Sequence, residues 1–275
     1  MSLLNPKAFF DCVHVDLFRG SLNDGQVGGM TEILASWDRA CPQADVRFVA
    51  DSLAQCYHET AQTMQPIEEF GKGRGRAYGV PAGPWRQVYF GRGDIQETWY
   101  PNYVHANAYL HALGVLKPDE NLAETPDLAC RPGVAAAIMI YGMVDGWFTG
   151  RKLGDYFSAS RNDPVHAREI INGLDCAAQI AVYYEHFLTA LNAGGYAGQG
   201  RPAPITPLSF DLSDAKGLQG ALKALGYRVT VDGEDGPETE AAVKAFQAHE
   251  GGLAVDGAAG EKTQAALRKA LAAII

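Results

Sequence analysis

At 275 residues, 47% of them hydrophobic, the chain can bury one substantial core and a second, smaller one. Its formal net charge of −9 argues against a general nucleic-acid binder, and against adhesion to an anionic surface by bulk charge. No run of about eighteen apolar residues occurs, so membrane insertion is not expected.

The N-terminus lacks the basic start, unbroken apolar stretch and small-residue cleavage site of a secretory signal, and none is predicted. Residues from about Lys7 to Ala40 read as one or two short helices, broken at the polar Ser21 to Gly25. Asp45 is the expected N-cap of a helix from Val46 to about Met64. On it Val46, Val49, Leu53, Tyr57 and Met64 form one apolar stripe. Glu59 falls nearly opposite, beside Ser52 and Gln55, which predicts a solvated face with Phe48 lining a cleft. Pro66 is expected to stop this helix, and Glu68 and Glu69 follow at once.

A glycine-rich loop with Lys72, Arg74 and Arg76 comes next. It reads equally as a lid that meets substrate carboxylates or as a basic surface loop. GRGDIQETWYPNY, from Gly91 to Tyr103, is expected to be a tight turn leading into a short extended piece. A helix is predicted from Tyr103 to Gly114, a central buried helix from Gly133 to Phe148 with Met139 and Met143 as core filling, and a last helix from Asp175 to Leu191. His105 and His111 are six apart and share no helical face well. The five cysteines, Cys12, Cys41, Cys56, Cys130 and Cys176, are scattered without a CxxC pair. They read as buried free thiols, so no metal site and no cofactor is expected.

Three segments carry a resemblance. His58-Glu59-Thr60, Gly91 to Thr98 (GRGDIQET) and Ile170-Ile171-Asn172-Gly173 resemble the HET, GRGxIQxT/S and IING signatures of glycoside hydrolase family 19, in that family's order. The family contains chitinases and the lysozyme-like endolysins of bacteriophages, and the close spacing of the two glutamates is more similar to the endolysins. The resemblance implies a mainly α, lysozyme-like catalytic domain over 1–191. Glu59 would be the general acid, its proton held by cleft burial, and Glu68 the general base, favoured over Glu69. Thr98 would hold the attacking water, and His58, Gln96, Asn102, Tyr103 and Asn172 would contact substrate. An inverting enzyme of this kind needs its carboxyls about 6.5–9.5 Å apart, with a water between. Two departures from the chitinase pattern stand out: Asp94 replaces a proline and Glu97 a leucine, which makes Glu97 a candidate third acid near the cleft. Trp99 and Tyr103 are candidates to stack on sugar faces or to fill the core.

Residues 192–209 read as a linker, glycine first and then Pro202, Pro204 and Pro207. Beyond it, VDG recurs at Val231 and Val255, a period of 24, each time ahead of a G-x-x-T helix start. Leu218, Leu222, Leu225, Phe246, Leu267 and Leu271 are the expected core of a small three-helix domain over 210–275. LQGALKALGY, VDGEDGPET and AVKAFQ closely resemble the peptidoglycan-binding domain 1 family. Together the two resemblances imply a monomeric endolysin-type hydrolase whose partner is bacterial peptidoglycan, made without a signal peptide and acting at the cell wall after release. A chitinase and a catalytically inactive wall-binding protein are the alternatives.

Overall fold

The computed structural model describes residues 5–196, 198, 200 and 210–274. The fold is mainly α, as expected. The predicted linker falls largely outside the described residues. By packing, the chain forms two compact units. One holds the chain up to Glu69, Gly91–Glu97, and the chain from Ala129 to Gly200; the other holds Phe70–Phe90, Thr98–Leu128 and everything described from Phe210 on.

In the first unit, α1 (Pro6–Asp16) and α2 (Asp24–Ala40) are separated where the sequence is polar, and Asn23 closes the start of α2 with a reciprocal capping box to Gln26. Helix α3 (Val46–Glu59) starts on Asp45, whose carboxylate accepts from the Arg47 N–H at 3.0 Å. Two short strands follow, β1 (Ile67–Glu68) and β2 (Arg92–Gly93), paired antiparallel with Glu68 opposite Arg92. Helix α5 (Pro132–Asp145) is apolar on all sides, with Met139 and Met143 fully buried. The short helix α6 (Leu153–Tyr156) leads into the hairpin of β3 (Phe157–Ser158) and β4 (Arg161–Asn162). A 3-10 turn, His166–Ile170, precedes α7 (Ala177–Ala193), which packs along both α1 and α3.

Helix α3 departs from its expected form in two ways. It ends at Glu59 rather than near Met64. The Thr60 hydroxyl donates to the Cys56 carbonyl at 2.7 Å and accepts from the Met64 N–H at 3.1 Å, and Ala61, Gln62 and Met64 all take left-handed backbone conformations. Pro66 therefore plays no part in stopping it. The turn fits because residue 29 on α2 is glycine: a Cβ there would lie 1.6 Å from the Met64 carbonyl oxygen. Nor is the face around Glu59 solvated. Ser52 and Gln55 are fully buried, and Phe48 packs against Phe157 in the core instead of lining a cleft.

In the second unit α4 runs from Tyr100 to Ala112, and α8 (Ala215–Ala224), α9 (Pro237–Glu250) and α10 (Glu261–Ile274) form the tail. All six apolar residues expected in the tail core are buried there, together with Ala108 from α4. The VDG repeat has a physical purpose. The buried Gln219 amide donates to the Asp232 carboxylate (2.7 Å), the Glu234 carbonyl and the Thr239 hydroxyl, and accepts from the Gly233 N–H at 2.8 Å. Gln247 repeats the arrangement with Asp256, Ala258, Thr263 and Gly257. One amide thus satisfies each turn and locks it to the helix that follows. Gln219→Leu is expected to strand these polar groups and cost on the order of 3 kcal/mol in denaturant titration, with Gln247→Leu behaving alike.

Candidate functional site

Glu59 is the last residue of α3, its side chain 17% exposed. Its Oε1 lies 2.6 Å from Nη1 of Arg168, whose side chain is only 2% exposed. The same Nη1 donates to Gln55 Oε1 at 2.9 Å, and Arg168 Nε donates to the Asp175 carbonyl at 3.2 Å. The guanidinium fork therefore ties the turn at 166–170 and the start of α7 to the end of α3 and fixes the Glu59 carboxylate. Sequence reading missed Arg168. A basic residue two positions before the IING segment was its only local signal.

Glu68 sits on β1, its side chain 34% exposed, with Arg92 Nε 3.7 Å from Oε1. Glu69 Oε2 instead accepts from the Gly91 N–H at 3.2 Å, bracing the strand pair. The GRGDIQET block is a hairpin, not a turn leading into extended chain. Arg92 and Glu97 exchange backbone hydrogen bonds of 3.1 and 2.8 Å, and Gln96 sits at φ +57° in the loop between them. The Gln96 amide nitrogen donates to the Ile67 and Gly93 carbonyls at 3.2 and 3.3 Å, so it holds the loop to the strand that carries Glu68.

Glu59, His58, Glu68, Gln96 and Asn172 belong to the first unit, and Thr98, Asn102 and Tyr103 to the second. His58 is half-buried beside Glu59 in sequence. Asn172 is exposed, its carbonyl accepting from the Gly173 N–H at 2.9 Å. Thr98 is half-buried, and its carbonyl accepts from Asn102 Nδ2 at 2.9 Å. Tyr103 takes the core-filling alternative. Its side chain is fully buried and its hydroxyl donates to the Phe90 carbonyl at 3.1 Å, so it supports the fold. Trp99, by contrast, is 47% exposed at φ +71°, edge-on to Tyr78. Glu97, the candidate third acid, is buried at 4% exposure. Of the thiols only Cys56 is buried; Cys176 is exposed and the rest are partly covered.

Two acids lie deep beside α3. Burial pushes Asp94 up to about 7, with the Cys56 thiol pulling the other way and the Glu32 carboxylate adding to the rise. Burial likewise pushes Asp51 up to about 7, against the pull of Gln55 and Arg168. Burial, followed by the Asp94 charge, pushes the Cys56 thiol well above its ordinary value. For an acid raised from 3.8, the stabilising contribution is fully present below pH 3.8 and is lost as pH rises through about 7. Thermal melts should therefore show the protein more stable at pH 5 than at pH 8. Asp94→Asn, which mimics the protonated acid, should remove on the order of 1–4 kcal/mol of that difference.

A cavity of about 420 Å³ in the same unit is lined by Arg19, Tyr57, Gln62, Tyr183 and His186 among others. Tyr57 and Glu59, two residues apart on α3, point to different sides of the helix, so this cavity is not the Glu59 site.

The tail decides the comparison with known families. Residues 212–267 match the putative peptidoglycan binding domain. The tail is thus similar to that family, and its Gln219 and Gln247 locks account for the LQ, VDG and Thr positions of the repeat. No curated protein matches the chain. Among solved structures it is similar to chitinase C from Streptomyces griseus, with 22% identity over 72% of this chain and 79% of that one at a TM-score of 0.43. A class IV, family GH19 chitinase from Zea mays shows 19% identity over 70% and 96% at 0.43. A bacterial family 19 chitinase shows 19% over 73% and 98% at 0.40.

Proposed function

We propose that this protein hydrolyses the glycan strand of bacterial peptidoglycan, with Glu59 as general acid and Glu68 as general base. The observation that carries the reading is Glu59. A carboxylate at a helix end, partly open to solvent and gripped from behind by a buried arginine, is a group fixed for chemistry rather than for solubility. Glu68 supports it as a second, more open carboxylate on a rigid strand pair. In the reaction Glu59, protonated on the carboxyl oxygen that does not accept from Arg168, gives that proton to the glycosidic oxygen as the bond breaks. Glu68 takes a proton from the water that attacks the anomeric carbon from the other side. His58, Gln96 and Asn172 complete the proposed site, Gln96 through the backbone that it holds.

The target is argued from the module at 212–267, which keeps the chain at the wall and raises the effective concentration of glycan around residues 1–191. We assign the chain to the endolysin type, acting as a monomer after release to the wall; no helix among the described residues is long and apolar enough to cross a membrane. Mass spectrometry of fragments released from purified peptidoglycan tests this. Reducing N-acetylmuramic acid or N-acetylglucosamine ends are expected, and would say which bond is cut. Free peptides with intact glycan, or cleavage confined to chitin oligomers, would overturn the assignment.

A further inference from the structure

The second unit contains a cavity of about 240 Å³ where α4 meets the peptidoglycan-binding module. Its apolar wall comes from Val104, Leu225, Phe246 and Ala270, and its rim from His105, His249 and Glu250. Tyr100 and Tyr227 also line it, and among the described residues neither hydroxyl makes a hydrogen bond to the protein. Tyr227 is nearly buried, its ring edge-on to both Phe246 and His249. Glu250 is exposed at the mouth and has no ion-pair partner among the described residues.

We propose that this cavity binds the peptide stem of peptidoglycan, taking a short aliphatic stretch against its wall and a free side-chain ammonium at Glu250. This rests on the wall as the target and names the part of the wall that the module reads. The volume suits one or two small residues rather than a whole wall fragment. A sugar ring is the poorer fit. It carries several hydroxyls, and a wall built chiefly of carbon would leave most of them buried without partners. A peptide of small residues needs few donors, which the two phenolic hydroxyls supply to its carbonyls. Its methyl groups meet Val104 and Leu225, and its ammonium meets the one carboxylate present. Because Tyr100 and Val104 come from α4, the recognition site includes residues outside the 212–267 match.

Calorimetric titration of the full chain carrying Glu59→Gln, which prevents turnover, tests the site with three probes. These are a stem peptide with a free side-chain amine, the same peptide acetylated on that amine, and a peptide-free glycan oligomer. The free-amine peptide is expected to bind. Acetylation should weaken it at least tenfold, and so should Glu250→Gln, with the melting temperature unchanged. Tyr227→Phe should weaken it as well by removing one hydroxyl. Equal affinity for the free and acetylated peptides, or an unchanged affinity in Glu250→Gln, would overturn the proposal. So would binding of the glycan oligomer in place of the peptide. Glycan cleavage by the unsubstituted protein is read separately. Peptide binding without such cleavage would support this site while removing the glycosidase reading.

Discussion

Glu59→Gln should lower turnover of purified peptidoglycan by about 10²–10⁴-fold while leaving wall binding intact. Glutamine keeps an oxygen that accepts from Arg168, so the 2.6 Å contact survives as a hydrogen bond and the end of α3 stays in place. What is lost is the transferable proton, and the effect should fall on kcat rather than on KM. Glu68→Gln should follow the same pattern. Glu69→Gln should not, because Glu69 braces the Gly91 N–H at 3.2 Å, and a glutamine oxygen can accept that bond. Near-normal activity in Glu59→Gln would sink the assignment of the acid. Loss in Glu69→Gln with activity kept in Glu68→Gln would exchange the two bases.

Arg168→Ala is expected to cost about 3–5 kcal/mol of stability, and activity with it, because it removes one partner of a nearly buried ion pair. It also strands the Gln55 carbonyl and the backbone carbonyl of Asp175. Arg168→Lys separates the two effects. An ammonium keeps the charge but has no planar fork with which to reach Glu59, Gln55 and Asp175 together. It should recover part of the stability while Glu59 loses its fixed orientation, so kcat stays low and its pH profile shifts. A lysine variant with full activity would show that charge alone, and not geometry, is what Glu59 needs.

Much of the fold was legible because local signals agreed with tertiary packing. Asp45 caps α3 where its side chain says it should. The leucines at 218, 222 and 225 are buried as their spacing requires. Helix α3 was legible only on its apolar stripe. Its polar face is buried because Arg168 and Asp94, distant in sequence, come to meet it, and amphipathic periodicity cannot see a polar face that is paid for by partners elsewhere. The end of the helix was hidden for a similar reason. A threonine hydroxyl and three left-handed non-glycine residues stop it, whereas Pro66 is the visible breaker. At the candidate site the glutamates were found by motif. Arg168 needed the fold, and so did the choice between the two readings of Tyr103, because an aromatic beside a motif looks the same in sequence whether it faces solvent or core.

The tail is held to 70–128 by more than a linker. Trp85 donates to the Gly226 carbonyl at 2.7 Å, and Asn107 donates to the carbonyls of Lys223 and Ala224 at 3.2 and 3.3 Å. At Gly226 even a methyl group would press on Val104, at 2.8 Å. For anyone recombining wall hydrolases, this means that the binding module is not a cassette. Cutting the chain at about residue 209 would bare the indole and the amide of the remaining piece. A transplant of 210–275 alone would carry an open flank, so chimaeras should exchange the tail together with 70–90 and 98–128.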